Sequence, residues 1–340
     1  MAHTPGWFDA HLDLAYIARA GRDMLAEDPT RAGGPDQPGA VTLPSLSAGR
    51  VTHALATVFT ETGGSEPGLG YASGDAAGAR AAGVAQLELY HRWASEGRVS
   101  FFGSAPTTTP TTAPLSIGIL VEGADPISGP DELAWWKSRG VVAIGLTWAR
   151  ASRYAGGNTD TQGLTDLGRA MIPAMDALGL VHDLSHLSDA ALDELLTRTD
   201  RPVIASHSNC RSIVDAPGGG PRQRHLRDET IREIARRGGM IGLNVFTPFI
   251  VPGAARSPRA TIEQWCDHAE HAAALMGRRD LLGLGSDMDG GFSAAMMPEG
   301  VDLPAHLDRL LEGLARRGWT PAELEGFKGA NWRRFWKLAK

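Results

Sequence analysis

The sequence predicts an α/β fold, a (β/α)8 TIM barrel of parallel strands. Eight short runs are nearly continuous in Val, Ile and Leu, as parallel strands covered on both faces are. Helical patterns lie between many of these runs, and 340 residues is an ordinary length for one large barrel. The runs lie at 6–14, 51–59, 115–123, 140–148, 179–186, 201–208, 239–246 and 280–287.

The helix candidates have recognisable ends. Residues 75–96 are rich in alanine, with charges on one side. Segment 188–198 begins at Ser188, a residue type that caps helix N-termini, and has acidic residues in its first turn. Segments 226–239 and 261–277 end at glycine, which terminates helices. An open doubly wound sheet is the alternative, but it favours a Gly-rich turn after the first strand, and "DAHLDL" has none.

The remaining segments are expected to be loops of a single domain. The domain spans 1–340, with loop insertions at about 20–48, 61–74 and 104–114. These insertions are rich in Gly, Pro or Thr and too short to fold as separate domains.

Composition limits the partners. The formal charge is −6 and the pI is about 6.0, which argues against nucleic acid and against an anionic membrane. Two cysteines, Cys210 and Cys266, cannot form a disulfide framework. The sequence contains no signal-like segment and no apolar stretch of transmembrane length. We therefore expect a cytoplasmic protein without a nucleic-acid or membrane partner.

Polar residues interrupt the apolar runs near their carboxyl ends. His11 and Asp13 are two residues apart in the first run, so in a strand their side chains face the same side. The active sites of such barrels lie at the carboxyl ends of the strands, where these side chains would meet those of the other runs. Corresponding positions are held by Glu122 in the third run, His186 in the fifth, His207 in the sixth and Asp287 in the eighth.

This set of side chains predicts a metal site. A single His or Asp at a strand end is more often a cap or a core residue, but six coincidences are improbable. Imidazole and carboxylate ligands without thiolates suit zinc or another borderline metal. Three imidazoles and two carboxylates exceed what one tetrahedral catalytic zinc holds while keeping an open position. They suit two divalent metal ions a few ångströms apart, bridged by a carboxylate.

Several motifs resemble those of the membrane dipeptidase (renal dipeptidase) family, peptidase family M19 of the amidohydrolase superfamily. They keep the family's order from about residue 8 to the end of the chain. The motifs are "DAHLDL", "VEG", "GLTDLGRAMIPAMDALGLVHDLSHLSD", "PVIASHSNCR", "GLGSDMDGG" and "GANWRRFW".

The resemblance implies a binuclear zinc hydrolase that cleaves dipeptides or related small amides. His11 and Asp13 would hold one Zn²⁺, His186 and His207 the other, and Glu122 would bridge them. A hydroxide between the metals would then be the nucleophile.

The resemblance also assigns roles beyond the metals. Asp287 would take the proton of the hydroxide and pass it to the leaving amine. Arg224 falls where the family has an arginine that grips the terminal carboxylate of the substrate. The family's members are commonly dimers, which implies a homodimer here.

The residues expected to contact the substrate depart from the family pattern. Trp148 stands where the family has the histidine of Leu-Thr-His, and Phe246 stands where it has a tyrosine. Asp125 and His225 replace a histidine and an asparagine. Arg153, in the loop after the fourth strand, would either bind an anionic part of the substrate or lie solvated at the surface.

These departures leave alternatives open. The same fold could act on an N-acyl amino acid, a D-residue amide or a lactone. A metal-binding homologue without catalysis is the other alternative, with Trp148 filling its pocket.

Overall fold

Eight parallel strands close into the predicted barrel. The structure is a computed structural model, and it describes residues 6–63, 69–103, 114–215, 222–254 and 256–338. Each strand pairs with its neighbours in chain order, and the last strand pairs with the first. The (β/α)8 prediction is therefore confirmed. The barrel strands are β1 (Trp7–Leu12), β2 (Val51–Phe59), β3 (Leu115–Glu122), β4 (Val141–Gly145), β5 (Val181–Asp183), β6 (Ile204–Ala205), β7 (Met240–Leu243) and β8 (Leu282–Leu284).

The helices lie near the predicted positions. Ser188 caps its helix as expected, because its hydroxyl accepts from the N–H of Ala191 at 3.1 Å. The helices are α1 (Leu14–Arg19), α2 (Leu43–Ala48), α3 (Ala76–Ser95), α4 (Leu133–Lys137), α5 (Asp166–Leu178), α6 (Asp189–Arg198), α7 (Arg211–Val214), α8 (Asp228–Arg236), α9 (Ile262–Met276), α10 (Asp308–Arg316), α11 (Pro321–Glu325) and α12 (Asn331–Phe335). None of them combines the length and hydropathy that a membrane-spanning segment needs, within the residues described.

Short elements occupy the connections. A strand at Val99–Phe101 pairs with β3, and Glu61–Thr62 pairs with Gly70–Tyr71. Of the loops expected at 61–74 and 104–114, residues 64–68 and 104–113 lie outside the described residues. The short helical turns are Pro29–Arg31, Pro130–Glu132, Arg222–Arg224, Thr247–Phe249, Pro252–Ala254, Ala294–Met296, Pro304–His306 and Gly326–Ala330.

Two apolar layers position the strands. The larger cluster packs the outer faces of the strands against the helices. A smaller cluster joins residues from around the barrel, including Leu55 of β2 and Leu120 of β3. Side chains alternate between the two faces along a strand. Thr57 lies two residues beyond Leu55, and Glu122 lies two residues beyond Leu120, so both side chains share the inward face. The packed interior thus ends in polar residues at the carboxyl ends of the strands.

A buried ion pair fastens the long loop after α1. Arg22 donates from Nη1 to Asp289 Oδ2 at 2.6 Å, and both side chains are fully buried. Asp289 also accepts from the N–H groups of Ala40 and Val41, at 2.9 and 2.8 Å. Residues 20–48 are therefore joined to the turn that follows β8.

Removing one partner of this pair is expected to destabilise the protein. Arg22→Ala leaves the Asp289 carboxylate buried without its counter-charge, which costs about 3–5 kcal/mol for such pairs. Urea unfolding followed by circular dichroism would measure the loss in unfolding free energy. Arg31→Ala is the matched control, because its ion pair with Asp28 lies in the same loop and is exposed. Equal stability of the two variants would contradict the role assigned to Arg22.

Candidate metal centre

The predicted strand-end residues converge at the carboxyl end of the barrel, with Glu122 at their centre. Glu122 Oε2 lies 3.3 Å from His11 Nε2. Its other oxygen, Oε1, lies 3.1 Å from His186 Nε2 and 3.4 Å from His207 Nε2. One carboxylate therefore faces imidazoles from three different strand ends.

Two acidic residues lie on the His11 side of this centre. Asp13 Oδ1 is 3.7 Å and Asp287 Oδ1 is 4.0 Å from His11 Nε2. The potential ligand atoms form compact sets, each within 4.8 Å. One set is His11, Asp13 and Asp287, a second is Glu122, His186 and His207, and a third joins His11 and His207 to Asp183.

Unusual backbone angles direct two of these side chains. His186 and Asp287 follow β5 and β8, and their φ angles are 67° and 62°. Residues other than glycine rarely adopt this left-handed conformation, and it is enriched at functional sites. Here it lets the chain leave the barrel while the side chain stays over the strand ends.

Neutral polar groups orient the outer members of the centre. Asn158 lies in the loop after β4, and its Oδ1 is 2.9 Å from His186 Nδ1. Thr57 donates its hydroxyl to Asp13, and Asn244 Nδ2 donates to Asp287 Oδ2 at 2.9 Å. None of the three was predicted from the sequence. The inward phase of Thr57 in β2 and the position of Asn244 directly after β7 are the signals that could have revealed two of them.

The electrostatics of the centre call for a cation. Burial would lower the pKa of His11, but the three neighbouring carboxylates outweigh it and raise this pKa to about 10. Burial raises the pKa of Asp13 to about 6, despite the opposing charge of His11. Burial, with Arg224 nearby, lowers the pKa of His186 to about 4. The buried carboxylates thus attract positive charge, here a proton on His11, and a divalent ion bound by the same residues would neutralise them in its place.

The Nε2 atoms of the three histidines show whether the residues fit a metal. His11 Nε2 is buried and has no hydrogen-bond partner among the described residues. The Nε2 atoms of His186 and His207 point at one another across 2.9 Å. Buried polar atoms of this kind normally have partners, so both features fit ligands aimed at cations.

Arg224 lies beside the histidines of the centre, and its predicted role in substrate binding stays a prediction. It is 3% exposed, and its guanidinium donates to Ser208 Oγ at 3.0 Å and to the carbonyl of His207 at 2.8 Å. The guanidinium also stacks over Phe249 at 4.7 Å. Its Nε has no partner among the described residues. The stack and these two hydrogen bonds fix the fork and leave donors for a ligand.

Trp148 and Phe246, the two aromatic departures from the family pattern, have different relations to the centre. The Trp148 ring lies 6.0 Å from the His186 ring and 5.1 Å from the Phe59 ring, measured between centroids. Phe246 stacks on Phe292 at 4.5 Å. Its N–H donates to Asn244 at 2.6 Å, the residue that holds Asp287. The Trp148 ring therefore borders His186, whereas Phe246 is connected to the centre through its backbone contact with Asn244.

Arg153 contacts the loop after β3. Its backbone N–H donates to Asp125 Oδ1 at 2.9 Å. Its guanidinium donates to the carbonyls of Asp125 and Ile127. These contacts join the loops after β3 and β4, and direct binding of substrate by Arg153 stays a prediction.

The fold and the site define a class: (β/α)8 barrels with a buried His, Asp and Glu centre suited to divalent cations. The family model described as membrane dipeptidase (peptidase family M19) matches residues 1–340. The chain belongs to this family, which confirms the resemblance seen in its motifs.

The curated relatives share part of their length with this chain. An uncharacterized dipeptidase of Schizosaccharomyces pombe is 32% identical over 232 residues, which is 66% of this chain and 53% of the relative. A second one from this yeast is 30% identical over 184 residues, 54% of this chain and 42% of the relative. The matched region thus spans about half the length of these relatives.

Solved structures share the fold over nearly the whole chain. A metallo peptidase from Rhodobacter sphaeroides, liganded with a phosphinate mimic of the dipeptide L-Ala-D-Ala, has a TM-score of 0.80 at 23% identity, and 99% of this chain and 100% of that chain are covered. A structure described as the dipeptidase AC, a family M19 metallo peptidase, has a TM-score of 0.79 at 23% identity and 99% coverage of both chains. At this identity the likeness shows the fold.

Proposed function

We propose that this protein is a binuclear, zinc-dependent hydrolase that cleaves dipeptides or related small amides. The position of Glu122 is the observation that carries the proposal. Its two oxygens face different histidines, one from each of two compact donor sets. Such an arrangement suits a pair of divalent cations that share a bridging carboxylate.

The donor atoms divide between the two cations. His11 and Asp13 would hold one, His186 and His207 the other, and Glu122 both. When bound, such a pair supplies an acidified water molecule and stabilises negative charge on the scissile group.

Asp287 would handle the proton of the reaction. Asn244 occupies Asp287 Oδ2, while Oδ1 faces the His11 side of the centre at 4.0 Å from Nε2. A carboxylate fixed in this way can accept a proton from water and deliver it to the leaving amine.

Arg224 would bind the free carboxylate of the substrate. Arg224→Lys is expected to raise KM by roughly 10- to 100-fold for substrates with a free carboxylate, because a lysine lacks the bidentate fork. Steady-state kinetics on a dipeptide and on its C-terminal amide would separate the effects. A KM that rises equally for both substrates would contradict carboxylate binding. Arg227→Lys is a suitable control, since Arg227 pairs with the surface carboxylate of Asp193.

A second candidate function keeps the metals and changes the bond. Trp148 lies beside His186, and Phe246 stacks on Phe292, at positions where the resemblance places a histidine and a tyrosine, so the residues expected to contact substrate offer fewer polar groups. This favours an N-acyl amino acid, a D-residue amide or a lactone as the alternative substrate. Arg153, whose guanidinium also joins the loops after β3 and β4, would bind an anionic group of such a substrate.

A substrate panel tests the proposal. Metal-free protein would be reloaded with Zn²⁺, Co²⁺ or Mn²⁺ and assayed on L-Ala-L-Ala, L-Ala-D-Ala, N-acetyl-alanine and a small lactone. Cation-dependent cleavage of either dipeptide supports the leading proposal, and cleavage of the other compounds alone supports the second. Cation binding without any turnover would favour the non-catalytic alternative. A homodimer and a cytoplasmic location stay predictions.

A further inference from the structure

A single serine hydroxyl contacts both sides of the metal centre. Ser206 directly follows β6, and its Oγ lies 3.1 Å from His11 Nδ1 and 2.7 Å from His207 Nδ1. The same oxygen lies 2.5 Å from Asp183 Oδ2. Ser206 and Asp183 are both buried. The hydroxyl thus joins one imidazole from each donor set to one carboxylate.

The hydrogen-bond roles follow from counting protons. Asp183 accepts from the N–H groups of Ser185 and Ser206, at 3.1 and 2.9 Å, so it acts as an acceptor throughout. A distance of 2.5 Å is typical of a hydroxyl that donates to a carboxylate. A serine has one proton and two lone pairs, and the Nδ1 atoms of His11 and His207 are nearer than the remaining neighbour, Ser185 Oγ at 3.4 Å, so the hydroxyl then accepts from both imidazoles. Protons at Nδ1 leave the Nε2 atoms to face Glu122.

We infer that Ser206, held by Asp183, is a positioning residue shared by the two cation sites, which fixes the ring orientation and Nδ1 protonation of one histidine ligand in each. This inference rests on the pair of cations in the proposed function. Groups that orient metal-binding histidines affect metal affinity by about 10- to 100-fold. Removal of one hydroxyl should therefore weaken both sites together.

The remaining histidine has its own support. His186 Nδ1 contacts Asn158 Oδ1 at 2.9 Å, whereas Ser206 contacts the Nδ1 atoms of His11 and His207. Asn158→Ala should therefore weaken only the site that contains His186. This difference separates a shared positioning residue from a general loss of order in the pocket.

A second serine and carboxylate provide a matched control. Ser286 Oγ donates to Asp9 Oδ2 and accepts from the N–H of Met288, with no contact to a ligand imidazole. Asp9 also accepts from the N–H groups of Ser286 and His11. Ser286→Ala therefore removes an equally buried hydroxyl and leaves the carboxylate with two donors.

Zinc titration of the metal-free, full-length protein against a chromogenic chelator tests the inference. Ser206→Ala should lower both zinc affinities by about 10- to 100-fold. Asn158→Ala should lower one, and Ser286→Ala should leave both close to wild type. Weakening of only one site by Ser206→Ala, or equal losses in Ser286→Ala, would overturn the inference.

The ring protonation of His207 gives a readout that does not need a metal. In ¹⁵N-histidine-labelled, metal-free protein, His207 should be protonated at Nδ1 in the wild type and in Ser286→Ala. Ser206→Ala should shift it towards Nε2. Asp183→Asn places an amide donor against the hydroxyl and should shift the ring proton of His207 in the same direction. This variant replaces Ser206→Ala in the experiment if Ser206→Ala fails to fold. Wild-type His207 protonated at Nε2 would overturn the inference. Nδ1 protonation in a protein that binds no zinc would refute the proposed function alone.

Discussion

Glu122→Gln is expected to deprive the protein of its paired cation site and of measurable hydrolysis. Glu122 contacts the Nε2 atoms of all three histidines, at 3.1–3.4 Å. An amide keeps the shape but replaces one carboxylate oxygen with an NH₂ group, which cannot ligate a cation, and it removes the negative charge. Elemental analysis after zinc loading should find at most one ion per chain, and activity should fall below detection.

Glu88→Gln controls for the loss of an acidic side chain, since Glu88 is exposed on α3. It should retain wild-type zinc content and activity. A Glu122→Gln protein with two tightly bound zinc ions would show that Glu122 does not bridge them, and the binuclear proposal would have to be abandoned.

Asp287→Asn is expected to lower kcat by about 10²- to 10⁴-fold, the range for loss of a general acid or base. The substitution keeps the volume of the side chain and a carbonyl oxygen that can still accept from Asn244, but removes the ability to take up a proton. Substrate binding through Arg224 remains, so KM should change little. Pre-steady-state and steady-state kinetics on the preferred substrate of the panel, with zinc content measured in parallel, would check this result.

Asp280→Asn is the companion variant, because Asp280 lies just before β8 and pairs with Arg278 at the surface. It should behave as wild type. If Asp287→Asn loses zinc in proportion to its activity, Asp287 is a cation ligand, as its place in the His11 and Asp13 set allows. Its assignment as the proton carrier would then be wrong.

The barrel and the members of the centre were predictable because their signals are local. Runs of apolar residues mark parallel strands, and a charged residue at the end of such a run stands out. His11, Glu122 and His207 were found in this way. Strand lengths were less accurate: the run at 201–208 is a strand only at Ile204–Ala205. The strand ends just before Ser206, whose N–H donates to the side chain of Asp183.

The orienting groups could not be predicted, because their partners are distant in the sequence. Asn158 and His186 are 28 residues apart, and Ser206 and His11 are 195 apart. A serine or asparagine near an apolar strand looks like any small buried residue until the partner is known. The same holds for Arg153, because nothing local indicated that its guanidinium would bond to the carbonyls of Asp125 and Ile127.

The buried pair of Arg22 and Asp289 has a consequence for how the rim of the pocket moves. Asp289 is two residues beyond Asp287, so the segment between β1 and β2 is anchored to the turn that carries Asp287. That segment cannot lift away without either separating two charges in a dry environment or pulling this turn with it. We therefore expect this side of the barrel mouth to act as a fixed wall and any movement at the mouth to involve other loops.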